Sequence, residues 1–175
     1  MIKESIRGFT VIEALIVIGV VGALASTVLL ATEQSRLKSQ EIRIRVDLTQ
    51  ARSAISLLLY DTGKWPNGCE PEKVSNPEVA INTAQSGIVK KPNVGDQGND
   101  CKWTQNDINN WDGPYMDRAV DIWGNSYWFD PYYHPYEKCS EIPAKPIVSA
   151  VVSFGRTWRN GVNDYDCDDL FLEVY

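Results

Sequence analysis

Residues 8–31 read GFTVIEALIVIGVVGALASTVLLA, and how this stretch is used decides the rest of the chain. From Ala14 to Ala31 it is apolar apart from Ser26 and Thr27, a run of 18 residues. That is near the lower limit for a helix that spans a bilayer, and Phe9–Ile12 extend it. Lys3 and Arg7 precede the run, so the N-terminus is expected to stay cytoplasmic while everything downstream is exported. One charge, Glu13, stands at its start, where a carboxylate is costly unless something pairs with it.

Two uses of the run compete. In the first, it is an ordinary secretory signal: a basic start, an apolar centre, and Ala23-Leu24-Ala25 as a small-x-small cleavage site before Ser26. In the second, the cut falls between Gly8 and Phe9, ahead of the run, which stays on the mature protein. Glu13 favours the second use. So does the apolar character that continues through Val28-Leu29-Leu30-Ala31, which a removable signal does not need.

Beyond Glu33 the polarity changes but the helical period persists. Leu37, Ile44, Leu48, Ala51, Ile55, Leu58 and Leu59 make one apolar stripe, and Arg36, Lys38, Glu41, Arg43, Arg45 and Asp47 fill most of the remainder. No Gly or Pro interrupts between Val28 and Thr62; Gly63 suits a helix C-cap and Pro66 closes off any continuation. Residues 9–62 are therefore expected to form one helix about 80 Å long. A domain of this size is far shorter, so the N-terminal half must project and needs lipid or neighbouring helices around it.

Gly8-Phe9-Thr10-Val11-Ile12-Glu13 followed by an apolar helix resembles the N-terminus of type IV pilins and of type II secretion pseudopilins. The resemblance implies a prepilin peptidase that cleaves after Gly8 and N-methylates the new amine of Phe9. It implies three segments: a leader 1–8, a transmembrane and filament-core helix 9–32, and an exported globular domain 33–175. It also implies that Glu13, buried in a helix bundle, pairs with the Phe9 amine of a neighbouring subunit. An uncut precursor lacks that amine and is not expected to assemble. Gly19 and Gly22 allow close helix approach or local unwinding, or are ordinary membrane glycines. Major type IV pilins usually carry a Pro within this helix; Ser26 to Ala31 has none.

Residues 67–110 are rich in Asn, Pro, Gly and Lys, which predicts a long loop with at most one short helix, in need of a staple. Four cysteines admit three pairings. The sequential one is preferred, Cys69 with Cys101 across the loop and Cys139 with Cys167 tying the C-terminal segment to the middle. No two cysteines have metal-ligand spacing, and exported thiols oxidise, so a zinc site is a poor reading.

Trp111-Asp112-Gly113-Pro114-Tyr115 and Asp121-Ile122-Trp123-Gly124-Asn125-Ser126-Tyr127 resemble the GPY and DPWGxxY signatures of major pseudopilins, with Ile122 in place of the usual Pro. Physically, Gly-Pro and Gly-Asn are turn signals. Tyr127–Phe129, Val148–Phe154 and Leu170–Tyr175 are expected strands of an antiparallel sheet packed on the second half of the helix. The fold class expected is thus α+β and pilin-like. Residues 127–136, dense in aromatics, could form a ligand platform, but rings alternating between core and subunit contacts are the preferred reading. The acidic loop Asp164, Asp166, Asp168 and Asp169 offers carboxylates to a hard cation. It resembles the opening of an EF-hand loop, although Asp169 stands where Gly is needed and no Glu closes it. The pseudopilin resemblance implies a calcium ion in this loop, while Gly155-Arg156-Thr157 lacks the Asp that often follows that Gly.

The composition excludes much. With 175 residues, one domain plus an extension is expected. A formal net charge of -6 argues against nucleic acid as the main partner. The single histidine, His134, has no evident nucleophile beside it, and no nucleophile elbow, phosphate loop or metal-binding His pair occurs. An enzyme is not expected, although a secreted enzyme or lectin with an ordinary signal remains the reading from another class. The leading expectation is a filament subunit, closest to a pseudopilin of type II secretion, with a type IV pilus subunit for adhesion, motility or DNA uptake as the alternative. Expected partners are copies of itself, other pilin-like subunits, the prepilin peptidase, an inner-membrane assembly platform and the bilayer. The expected location is the inner membrane with the C-terminal domain in the periplasm, then a periplasmic or surface filament.

Overall fold

A single helix, α1, runs from Val11 to Thr62, 52 residues, as the unbroken helical period requires. It stops at Gly63, whose φ of 69° is left-handed and whose N–H donates to the Leu59 carbonyl at 2.8 Å. That is the αL cap a glycine supplies without a Cβ clash. The computed structural model describes residues 8–73, 77–96, 101–156, 165 and 167–174, with the backbone alone for Leu30 and Asp96.

The chain divides into two compact units, Met1–Glu41 and Ile42–Tyr175. In the first, the described part of α1 is exposed almost throughout. Leu37, expected in the apolar stripe, is 56% exposed: it falls within this unit, where no second layer covers it.

In the second unit the stripe is buried as expected. Ile44, Leu48, Ala51, Ile55 and Leu58 are fully covered, joined by Ala54. They pack on one face of a four-stranded antiparallel sheet whose order is β1-β4-β5-β6, with β1 Val79–Ala80, β4 Trp128–Tyr133, β5 Val148–Ser153 and β6 Leu170–Glu173. Phe129, Val151 and Val174 meet the helix. Tyr133, Ala150, Val152 and Phe154 form a smaller core on the opposite face. The β4–β5 register shifts between Asp130 and Tyr133, around Pro131, which has no N–H to give to the ladder. This is the expected α+β architecture, a long N-terminal helix packed on a small antiparallel sheet.

The segment 67–110 departs from a plain loop. It holds β1, a 3₁₀ turn Ala84–Ser86, a two-stranded ribbon of β2 Gly95–Asp96 and β3 Lys102–Trp103, and α2 Gln105–Asn110. Thr104 and Asp107 close a reciprocal capping box on α2, with Thr104 N–H on Asp107 at 2.8 Å and Asp107 N–H on Thr104 at 3.2 Å. Ile81, Ile88 and Trp103 are fully buried. Single apolar residues separated by polar ones carry no period, so their burial was not legible beforehand. Two disulfides staple the loops in the sequential pairing, Cys69–Cys101 and Cys139–Cys167.

Candidate functional site

The residues singled out for assembly lie at the start of α1. Gly8, Phe9 and Thr10 precede the helix in exposed, non-helical backbone. Thr10 and Glu13 then make a capping box. The Glu13 Oε2 accepts from the Thr10 N–H at 2.8 Å and from the Thr10 hydroxyl at 2.7 Å, and the Glu13 N–H donates to that hydroxyl at 3.3 Å. A carboxylate at this position also answers the positive end of the helix dipole. Within one chain the charge is thus occupied locally through one oxygen, and Oε1 has no partner among the described residues.

Along the rest of this segment large apolar side chains face outward, including Leu15, Ile16, Val20, Leu24 and Leu29. The helix is long and apolar enough to cross a membrane by length and composition. Its hydroxyls turn back onto its own carbonyls: Ser26 on Gly22 at 2.9 Å, Thr27 on Leu24 at 2.8 Å and Thr32 on Val28 at 2.7 Å. No polar side chain there is left needing water, which suits lipid or a dry helix interface. Gly19 and Gly22 have open space where a Cβ would sit.

In the globular unit the recognisable motifs act as clamps on α1. The Tyr115 hydroxyl donates to Asp61 at 2.6 Å, and the Tyr127 hydroxyl donates to Asp47 at 2.9 Å. Burial, then the adjoining carboxylates, pushes both phenols up, so each stays a neutral donor. Asp121 closes the turn between them: one oxygen accepts from the N–H groups of Trp123 and Asn125, each at 2.9 Å, and the other from the Ser153 hydroxyl at 3.1 Å. Burial raises its pKa against these bonds. These motifs mark the fold, and their partners Asp47 and Asp61 were missed because a helical aspartate reads as a solvated charge. Their separation of almost four helical turns, which puts both on one face, was the available signal.

The aromatic stretch 127–136 turns mostly inward: Tyr127, Phe129 and Tyr133 are fully buried, and Tyr132 is exposed. It also carries an unforeseen buried carboxylate. Asp130 accepts from the Tyr132 N–H at 2.8 Å and the Tyr165 hydroxyl at 3.3 Å. Burial, with the Glu78 charge adding to it, pushes its pKa up to about 6.

Of the acidic loop, Asp164 and Asp166 lie outside the described residues. Asp168 accepts from the Arg156 N–H at 2.8 Å, and Asp169, buried, accepts from the Tyr133 hydroxyl at 2.8 Å. Among the described residues no three acidic, histidine or cysteine side chains come together as metal ligands.

Comparison with known proteins places the chain beside pilus proteins. It is 32% identical over 103 residues to a probable minor fimbrial protein of Dichelobacter nodosus, covering 51% of this chain and 64% of that one. It is 30% identical over 88 residues to the type IV major alpha-pilin of Moraxella bovis, covering 50% and 55%, and 30% identical over 93 residues to fimbrial protein Q of the same organism. No protein-family model matches, and no solved structure matches. The chain spans less than two thirds of the length of these relatives, and what it is similar to are type IV pilins and fimbrial proteins.

Proposed function

We propose that the chain is a non-enzymatic structural subunit of a type IV pilus-like filament. The carrying observation is α1 itself: outward-facing apolar side chains and self-satisfied hydroxyls directly follow a non-helical, exposed Gly8-Phe9. Cleavage there by a prepilin peptidase leaves the Phe9 amine two residues ahead of the helix. The helix then anchors the subunit in the inner membrane, with the globular unit in the periplasm, until a neighbouring subunit's helices replace the lipid. In the dry filament core the Glu13 carboxylate takes the Phe9 amine of a neighbour. Leaving it unpaired there would cost several kcal/mol, on the order of 3 to 5. Other pilin-like subunits and an assembly platform are the partners this reading requires.

An intact mass with N-terminal sequencing of the protein from its native membrane tests the proposal. A chain that starts at Phe9 and carries one added methyl group supports it. A chain that starts at Ser26 means the helix is a discarded signal, and the assembly reading falls.

Between filament classes, Gly113-Pro114-Tyr115 and Asp121–Tyr127 support a type II secretion pseudopilin. The fimbrial names of the relatives support a surface pilus subunit. Deleting the gene separates them: loss of exoprotein release with no change in sheared surface fibres supports the pseudopilin, and the reverse supports the pilus. A calcium ion in the acidic loop is a further proposal. Since Asp168 and Asp169 already accept protein donors, an ion there must displace or supplement them. A melting temperature that rises with calcium and falls with a chelator supports the site; one indifferent to both removes it.

A further inference from the structure

We propose that the open edge of β6 is a docking site for an extended acidic segment of another protein, added to the sheet as a further strand. β6 ends the order β1-β4-β5-β6, so among the described residues one of its sides is unpaired. The register runs Ala150↔Glu173, Val151↔Leu172, Val152↔Phe171, and the Val174 N–H donates to the Ser149 carbonyl at 2.8 Å. In an antiparallel pair the backbone groups of alternate residues point the same way, so those of Leu170 and Leu172 are turned to β5. Those of Phe171 and Glu173 point outward, and neither meets a partner among the described residues.

A groove of about 540 Å³ lies along this edge. Arg45 and Arg52 of α1 line it, together with Tyr136 and Lys145. The Lys145 ammonium stands 5.6 Å from the Tyr136 ring and 5.8 Å from the Phe171 ring, and its backbone N–H is fixed on the Pro135 carbonyl at 3.0 Å. The two arginines are seven residues apart on the helix, about 10 Å along its axis, the reach of roughly three residues of an extended strand. Three cations thus border an edge in a chain whose net charge is -6. Of the two carboxylates in the groove, Asp169 is buried on Tyr133, which leaves Glu173 as the exposed one.

This charge selects the occupant. Main-chain pairing provides affinity in strand addition, and flanking side chains provide selectivity. A second copy paired edge to edge would gather the cations of both copies around one seam, a like-charge contact that disfavours self-pairing. An extended partner with alternate Asp or Glu meets them with opposite charge. The inference does not rest on the filament reading, because it is drawn from the sheet of the single chain.

The test uses the full chain in detergent micelles and a fluorescein-labelled peptide, Val-Asp-Val-Glu-Val-Asp-Val, followed by anisotropy, with amide hydrogen exchange as a second readout. The expected result is saturable binding that slows exchange at the Phe171 and Glu173 amides. Arg45→Ala and Arg52→Ala, both at exposed helix positions, should each weaken it by about three- to fivefold. Methylating alternate peptide amides should abolish binding without touching the protein. Equal binding of a peptide with Lys at the acidic positions overturns the proposal, as does full binding of the methylated peptide. Protection of the same two amides by dimerisation, with no peptide present, would assign the edge to a second copy and overturn it as well.

Discussion

At the residue scale, three positions carry the most specific consequences. One oxygen of Glu13 is held by Thr10 within one chain, as an N-terminal cap on the helix. Glu13→Ala is therefore expected to insert into membranes as well as the parent while filament incorporation falls at least tenfold, as pull-down of sheared fibres against the membrane fraction would measure. Normal incorporation would remove the Glu13–Phe9 pairing from the account. Gly155 has a φ of 67°, and a Cβ there would meet the Asp168 carboxylate and sit 2.6 Å from the Asp168 carbonyl oxygen. Gly155→Ala should cost about 2 to 4 kcal/mol in denaturant melts, because backbone strain and the clash add. Asp130 sets a pH dependence with a definite sign. Its folded pKa, about 6, lies above the ordinary carboxylate value, so the folded state holds the proton more tightly than the unfolded one. Its contribution is full below pH 4 and is lost as pH rises through 6, by on the order of 2 to 3 kcal/mol. Asp130→Asn should flatten that part of the stability curve, measured by urea melts at pH 4.5 and 7.5 (roughly either side of the transition). An unchanged slope would mean another group is responsible.

At the element scale, α1 carries two jobs on one unbroken helix. Its later turns are a conventional amphipathic core helix. Leu48 and Ile55 are fully buried against the sheet, so truncating either to Ala should cost about 3 to 4 kcal/mol through lost transfer energy and the cavity left behind. Its earlier turns make no such contribution, so Leu24→Ala should leave the thermal melt within about 0.5 kcal/mol of the parent. The staples act on the loops: Cys69–Cys101 closes a separation of 32 residues and Cys139–Cys167 one of 28. Opening either by Cys→Ser substitution of both partners should destabilise by about 2 to 4 kcal/mol, chiefly by freeing the unfolded chain. The clamps Tyr115–Asp61 and Tyr127–Asp47 tie residues far apart in sequence to the helix.

At the scale of the whole molecule, the division of labour follows from where apolar surface can be hidden. From Ile44 onward one stripe of α1 buries its apolar side chains within the chain; the earlier turns do not, since a single helix has no second layer. That much was determined by the sequence alone. The 3.6-residue period, the missing glycine and proline between Val28 and Thr62, and the charge at Glu13 within an apolar run are local patterns, and local patterns survive without tertiary contacts. The αL stop at Gly63, the two later strands and their antiparallel pairing were legible for the same reason. Tertiary structure decided the rest. Asp47 and Asp61 became acceptors only when loops more than fifty residues away reached them. Asp130 and Asp169 became buried carboxylates only when Tyr165 and Tyr133 closed over them. Ile81, Ile88 and Trp103 became core because the Cys69–Cys101 loop is folded back under the helix and sheet. The cation-bordered edge of β6 exists because, among the described residues, the sheet stops there. None of these is periodic in the chain, since each depends on which distant surface arrives, and that is a property of the packed molecule.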